Sequence, residues 1–247
     1  MCPTHHTIID KNPEDYPIEK IHMMKSQHEY WVETTLSESY NNKLKADEIA
    51  YSYLIDMTVE HCLFSNWEKW MSTLYSSSHK LEISNYDRII NYTFRMHKAV
   101  WPGKLIELES ALKYFSEMMN IMLNFYMKNV ESKGEYFIED RSYKRQWRPQ
   151  EIFEELSERN RCWREYLDEL IIEINKAANW LADTIRKEIN PMFMITDGKL
   201  SIIWGFDENL CIRLIVPEYS LNEKKTLIES HEERSNNMRN KADSIKI

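Results

Sequence analysis

From Arg148-Pro149 to Asn190-Pro191 the chain repeats apolar residues at helical spacing: Phe153, Leu156, Trp163, Leu167, Leu170, Ile174, Ala177 and Leu181. From Trp163 onward the steps alternate four and three, the heptad rhythm of a helix packed lengthwise on another helix. Pro149 suits a first helical turn, and Pro191 ends the run because proline cannot continue the hydrogen-bonded ladder. About 40 residues at about 1.5 Å each predict a rod on the order of 60 Å. A second seam, Leu105, Leu108, Leu112, Phe115, Met119, Met122 and Tyr126, predicts a helix from about Pro102 to Ser132, with Gly134 as its stop. Only residues 134–148 separate the two helices, which is short enough to fold them antiparallel.

Upstream, a helix is predicted from Ile18, carrying Ile21, Met24, His28, Trp31 and Val32 on one side. The polar stretch Leu36 to Lys45 interrupts it. Ile49, Tyr53, Met57, His61, Phe64, Trp67, Met71 and Leu74 then predict one continuous helix from Ala46 to Tyr75, ended by Ser76-Ser77-Ser78. Another starts at Ser84 or Asn85, carries Ile89, Ile90, Phe94 and Val100, and closes at Trp101-Pro102-Gly103.

After Pro191 the period changes. Met192–Ile195, Lys199–Trp204 and Leu210–Val216 are short and apolar, with Asp197-Gly198 and Asp207-Glu208-Asn209 as turns, and predict a three-stranded antiparallel meander. The expected fold is mainly α: an elongated antiparallel bundle of five or six helices with a small β-meander. Residues 1–17 read as a loose arm, 18–191 as the bundle and 192–217 as the meander. Residues 218–247 read as a polar surface helix or a tail that orders on a partner.

Composition sharpens this picture. Only four glycines occur in 247 residues, so tight positive-φ turns are few and helices long. No run approaches the roughly 18 apolar residues of a spanning helix, and the start lacks a secretory pattern, so no membrane role is expected. Four scattered cysteines fit a reducing, cytoplasmic setting. A net charge of -8 argues against wholesale nucleic-acid coating but leaves a local basic patch open.

The densest such patch is Arg141-Ser142-Tyr143-Lys144-Arg145-Gln146-Trp147-Arg148, with Arg159, Arg161 and Arg164 following on the rod. Cations interleaved with aromatics can grip phosphate and stack on bases. Lys144, Arg145, Arg148, Arg159 and Trp147 are therefore the candidate phosphate or nucleic-acid residues. On the rod, Glu155 with Arg159, Arg161 with Glu165 and Arg164 with Asp168 also sit four apart, as ordinary helix-surface pairs do.

Arg159-Asn160 on a helical bundle resembles the HEPN-type ribonucleases, whose site is an arginine, a polar residue and, a few positions on, a histidine. The resemblance implies an arginine on phosphate and a histidine near the 2′-hydroxyl. Here Arg161-Cys162-Trp163-Arg164-Glu165 follows, with no histidine, so the resemblance covers two residues and a fold class.

Other chemistry is thin. No Gly-x-Ser-x-Gly, P-loop or dinucleotide fingerprint exists. Only Glu19-x-x-His22 fits a di-iron pair, and Glu60-His61-Cys62 cannot converge on one ion, so no metal or cofactor is expected. His61 reads as a hydrogen-bonded core histidine, and Cys62 and Cys162 as buried, inert thiols.

Abundant aromatics and thirteen methionines suit helical interfaces. The leading expectation is a non-enzymatic interaction or scaffold subunit of a cytosolic assembly, working with a protein partner or a second copy. Its prokaryotic setting rests on composition alone. The alternative is a nucleic-acid-associated module or a divergent HEPN-like bundle using the Arg141–Arg148 loop.

Overall fold

A computed structural model of the chain describes residues 17–36, 42–145, 147–206, 208 and 211–246. The predicted arm up to residue 16 and the centre of the predicted interruption, 37–41, lie outside the described residues. Residues 1–49 and 50–247 are distinct units. The first contains α1 (Ile18–Leu36) and the opening turns of α2 (Asn42–His61). On α1 the predicted apolar side carries exposed Met24 and Trp31, with the His28 ring stacked on Trp31. All further elements belong to the second unit, and the chain is mainly α.

The single helix predicted from Ala46 to Tyr75 is broken. Leu63 takes a left-handed φ of 56°, Phe64–Asn66 form a short 3-10 turn, and α3 runs Trp67–Tyr75. A left-handed leucine costs about 1–2 kcal/mol. Burying Phe64 and Trp67 offsets that at about 2 kcal/mol or more each. Both rings close on Phe115, with Phe64 edge-on at 5.7 Å. The hydrophobic phase continues across the break, so periodicity alone cannot reveal it.

Helices α4 (Ile83–His97) and α5 (Ile106–Tyr126) follow. Helix α5 is the centre of the core. Its predicted seam from Leu108 to Tyr126 is fully buried, and so are Ala111, Tyr114, Met118 and Leu123 on its other sides. A helix apolar all round must be covered all round. The long helix α6, Gln150–Glu188, covers one side with the predicted Trp163, Leu167, Leu170, Ile174, Ala177 and Leu181, all fully buried. Trp163 Nε1 donates to the Phe125 carbonyl and Trp180 Nε1 to Glu107, so α5 and α6 run antiparallel as expected.

Helix α5 stops earlier than predicted. Val130–Lys133 is a strand, β2, and Gly134 is the turn of a hairpin (φ 62°) rather than a helix stop. It leads into β3 (Tyr136–Glu139), which pairs Lys133 with Tyr136 and Val130 with Glu139. The two-residue strand β1, Leu81–Glu82, pairs on the other side of β3, giving the antiparallel order β1-β3-β2. The Tyr126 hydroxyl bonds the carbonyls of His79 and Phe137, fixing the end of α5 to this sheet.

The three-stranded meander predicted over 192–217 is corrected to a two-stranded hairpin. Met192–Ile195 is turn, because the Asn190 side chain accepts from Met192 N and Met194 adopts a left-handed φ of 47°. Asp197-Gly198 makes no hairpin turn. Gly198 is needed because a Cβ there would come within 2.7 Å of the Met194 carbonyl. The observed strands are β4 (Ile202–Phe206) and β5 (Ile212–Ile215). Buried Asn175 and Asn179 on α6 hold the entry strand: both donate to the Leu200 carbonyl, and Asn179 also accepts from Leu200 N.

The C-terminal segment is a helix, α7 (Leu221–Ser244), opened by a capping box between Ser220 and Glu223. It packs on α5 and α6 and runs antiparallel to α6, since Arg234 meets Glu173 and Tyr166 donates to the Met238 carbonyl.

Candidate functional site

The charge-dense loop folds back on the sheet beside it. Ser142–Lys144 form a 3-10 turn around buried Tyr143. Lys144 Nζ lies 5.5 Å from the Tyr143 ring centre. Arg145 is ion-paired with Glu131 on β2 and Arg159 with Glu155 one turn earlier on α6. Arg148 is half-buried. Trp147 stands out at 91% exposure, unlike the core tryptophans. Asn160 is buried and donates to the Asp140 carbonyl at 3.4 Å, so this asparagine serves the fold of the loop. Arg161 takes both Glu158 and its expected partner Glu165.

Arg164 does not pair with Asp168 as the spacing predicts. It reaches across to Glu139 at the end of β3, where both its Nε (2.6 Å) and Nη2 donate to Oε1. Arg141 donates to the other oxygen at 2.6 Å and also to the Ser77 carbonyl. His79 completes the centre with Nδ1 at 3.5 Å from Glu139 and Nε2 at 3.3 Å from Asp168. Carboxylates accept only, so an imidazole between two of them favours the doubly protonated ring. Burial alone lowers the His79 pKa, but Asp168 and Glu139 outweigh it and raise the value above the ordinary one. For Glu139 burial raises the carboxyl, and the neighbouring His79, Arg141 and Arg164 reverse this and hold it at about 2.

This centre has the residue types of acid–base chemistry without its access. His79 and Glu139 are each 3% exposed, and every strong partner is another side chain of the centre. A base must reach a substrate proton. Here the network locks the turn before β1, the end of β3 and α6 together. No spacing in the sequence announced it, because His79 lies in the turn before β1, Glu139 at the end of β3 and Arg164 on α6.

A second buried carboxylate, Glu173 on α6, accepts from the hydroxyls of Tyr114 (α5) and Tyr219 (2.9 Å) and from Arg234 Nε (2.8 Å) on α7. Burial pushes both tyrosine hydroxyls far above their ordinary pKa, so they stay protonated donors. The thiol of Cys62 is buried and likewise pushed up, as expected for an inert cysteine. Cys162 is only half-buried, 3.8 Å from Glu158, which corrects the expectation of a buried thiol there. His61 is half-buried at the end of α2 and its Nδ1 makes no hydrogen bond, unlike the bonded core histidine expected. Among the described residues no group of three His, Cys, Asp or Glu side chains is placed to hold a metal ion, and no helix is long and apolar enough to cross a membrane.

Among the described residues, two clefts of the second unit stand out. One of about 810 Å³ lies between the start of α3 and residues 194–201. Two of its cations are engaged locally: Arg186 bonds Asp183 and the Gly198 carbonyl, and Lys199 pairs with Asp183 and Glu218. The other, of about 640 Å³, lies among α4, α5 and α7.

The hairpin β4–β5 exposes apolar side chains. Ile202, paired with Ile215, points into the core and is fully buried. Ile212, Leu214 and Val216 alternate onto the opposite, outward face, and Ile212 is 60% exposed. Trp204, half exposed in the bulge between Ile203 and Gly205, sits 5.4 Å from the Tyr75 ring. The Ile203 N–H of β4 donates to Ser72 on α3, whereas among the described residues no strand pairs with the far side of β5.

No protein-family model, curated protein or solved structure matches the chain.

Proposed function

We propose that the chain is a non-enzymatic helical interaction subunit of a cytosolic assembly, and that an extended segment of a partner protein docks along β5. The supporting observation is the hairpin: an open strand edge beside an outward apolar row of Ile212, Leu214 and Val216. An unpaired edge offers backbone donors and acceptors to an added strand, and alternating apolar side chains supply the contact surface. Isolated exposed apolar residues are ordinary, but a contiguous row on an open edge is what partner strands bind. The pairing of Arg141 and Arg145 in the loop and of Arg164 on α6 supports this reading over nucleic-acid binding, since these cations already face carboxylates.

The test is paired. Ile212→Thr with Leu214→Thr keeps β-propensity while removing the apolar row. The double variant is expected to remain folded and to lose the partner that the native chain captures from its host. Retention of that partner by the folded variant would overturn the proposal. For the loop, the Lys144/Arg145/Arg148 triple alanine variant is expected to bind single-stranded RNA no differently from the native chain. A clear loss of RNA affinity and salt dependence in that variant would instead favour the nucleic-acid reading.

A further inference from the structure

Edge strands of soluble proteins carry charges, prolines or bulges that stop them pairing with a copy of themselves. Strand β5 (Ile212–Ile215) has few of these guards. Its one charged residue is Arg213, Pro217 lies past its end, and the bulge of the hairpin falls on β4 between Ile203 and Gly205. Among the described residues no strand pairs with its far side, where Ile212, Leu214 and Val216 form an exposed row. The other edge of the hairpin already lies against α3, through the bond from Ile203 N–H to Ser72.

Register decides whether β5 can meet its own copy. Residues directly opposite in an antiparallel pair share a face of the sheet. The outward row can therefore meet the same row of a second copy only if the two-fold axis passes through a residue. An axis between Arg213 and Leu214 would instead set outward Ile212 against inward Ile215. Three residue-centred axes keep most of the strand paired. At Arg213, the two guanidinium groups stand directly opposite each other, which is destabilising. At Ile215, Glu218 meets apolar Ile212, and Pro217, which has no N–H to give, enters the ladder. At Leu214 neither fault arises. Leu214 meets Leu214 and Ile212 meets Val216, so the two outward rows join into one apolar face.

We infer that the strand docking on β5 is β5 of a second copy of this chain, paired antiparallel about a two-fold axis at Leu214. This names the occupant of the docking edge proposed above and rests on that reading. The product is a four-stranded sheet, β4-β5-β5-β4, in which the pairing closes on itself and leaves no β5 edge for further copies. A foreign strand must supply a matching apolar row, whereas the second copy brings the same row in the matching register. The strands Ile212–Val216 fall far short of the about 20–30 residues a side of a standard interface, so the dimer is weak and concentration-dependent. In this register the two exposed Arg213 residues are diagonal neighbours, about 7–8 Å apart. Salt screens their repulsion, so the dimer tightens as ionic strength rises.

Sedimentation velocity of the full chain over a concentration series is expected to show a monomer–dimer equilibrium, with more dimer at high salt than at low. Ile212→Thr/Leu214→Thr is expected to weaken the dimer about tenfold or more, a change of about 1.4 kcal/mol. In a Cys211→Ser background, Leu214→Cys is expected to give a disulfide-linked dimer under mild oxidation, because opposed residues stand within disulfide reach. Ile212→Cys in the same background is expected to give none, since it opposes Val216 and lies four residues from its own copy. Circular dichroism checks that each variant folds, and the native sedimentation series decides alone if one does not. Equal cross-linking of the two cysteine variants, a dimer weakened by salt, or one unmoved by the threonine variant overturns the inference. A native chain that stays monomeric yet captures a foreign protein through Ile212 and Leu214 overturns the second copy and leaves the docking edge standing. A monomeric chain that captures nothing sinks both.

Discussion

At the scale of single residues, the chain spends its charged groups on internal ties. Glu139 shows this most sharply, held at about 2 by His79, Arg141 and Arg164 against the opposing effect of burial. A carboxylate depressed in the folded state stabilises it fully above its unfolded value, ordinarily 4.5, and this contribution is lost as pH falls from there towards about 2. The expected loss across that window is about 3 kcal/mol. His79 acts in the opposite direction: its raised pKa contributes stability below 6.5 that is lost as pH climbs through the folded value. Urea midpoints measured between pH 2 and 6 should fall more steeply for the native chain than for Glu139→Gln, and parallel curves would contradict the assignment. At Glu173, Arg234→Ala removes a donor from a buried carboxylate and is expected to cost about 2–3 kcal/mol, with Arg234→Lys costing less. Equal thermal stability of the native and alanine chains would count against that tie. The sequence made the i,i+4 pair of Arg161 with Glu165 legible but not Arg164 with Glu139, because a local partner, Asp168, was available at helical spacing. Tertiary geometry instead gives Asp168 to His79.

At the scale of elements, the two heptad seams were legible because they are long and their period survives in burial. Every apolar residue from Trp163 to Leu181 named in the seam is fully buried. Leu170→Asp places an unpaired charge there and is expected to abolish cooperative folding, read by circular dichroism on heating. A soluble variant with a native-like melting transition would contradict the pairing of α5 and α6. The breaks were less legible. Leu63 turns the chain without a glycine, proline or polar cluster, and apolar spacing on both sides stays in phase. Val130–Lys133 reads as a helical continuation because it carries no strong strand pattern, and it becomes a strand by pairing with β3. Met192–Ile195 looked like a strand from its apolar content, but the Asn190 side chain captures the backbone first.

At the scale of the whole molecule, the two buried carboxylate centres, at Glu139 and Glu173, are internal ties, and the clefts and the hairpin remain as surfaces. In the Arg141–Arg148 loop, legible as a cationic patch, Arg141 and Arg145 are met by Glu139 and Glu131, acidic residues that the β2–β3 hairpin brings back to it. The hairpin was legible as strands but its exposed face was not, since exposure depends on which side of β4 meets α3. Partner binding, as proposed, runs through that face. Its most direct test is capture from the host by three versions of the chain: native, Ile212→Thr/Leu214→Thr, and the Lys144/Arg145/Arg148 triple alanine. The native and triple-alanine chains are expected to recover the same partner and the hairpin variant to lose it. Loss of that partner only with the triple-alanine chain would contradict it.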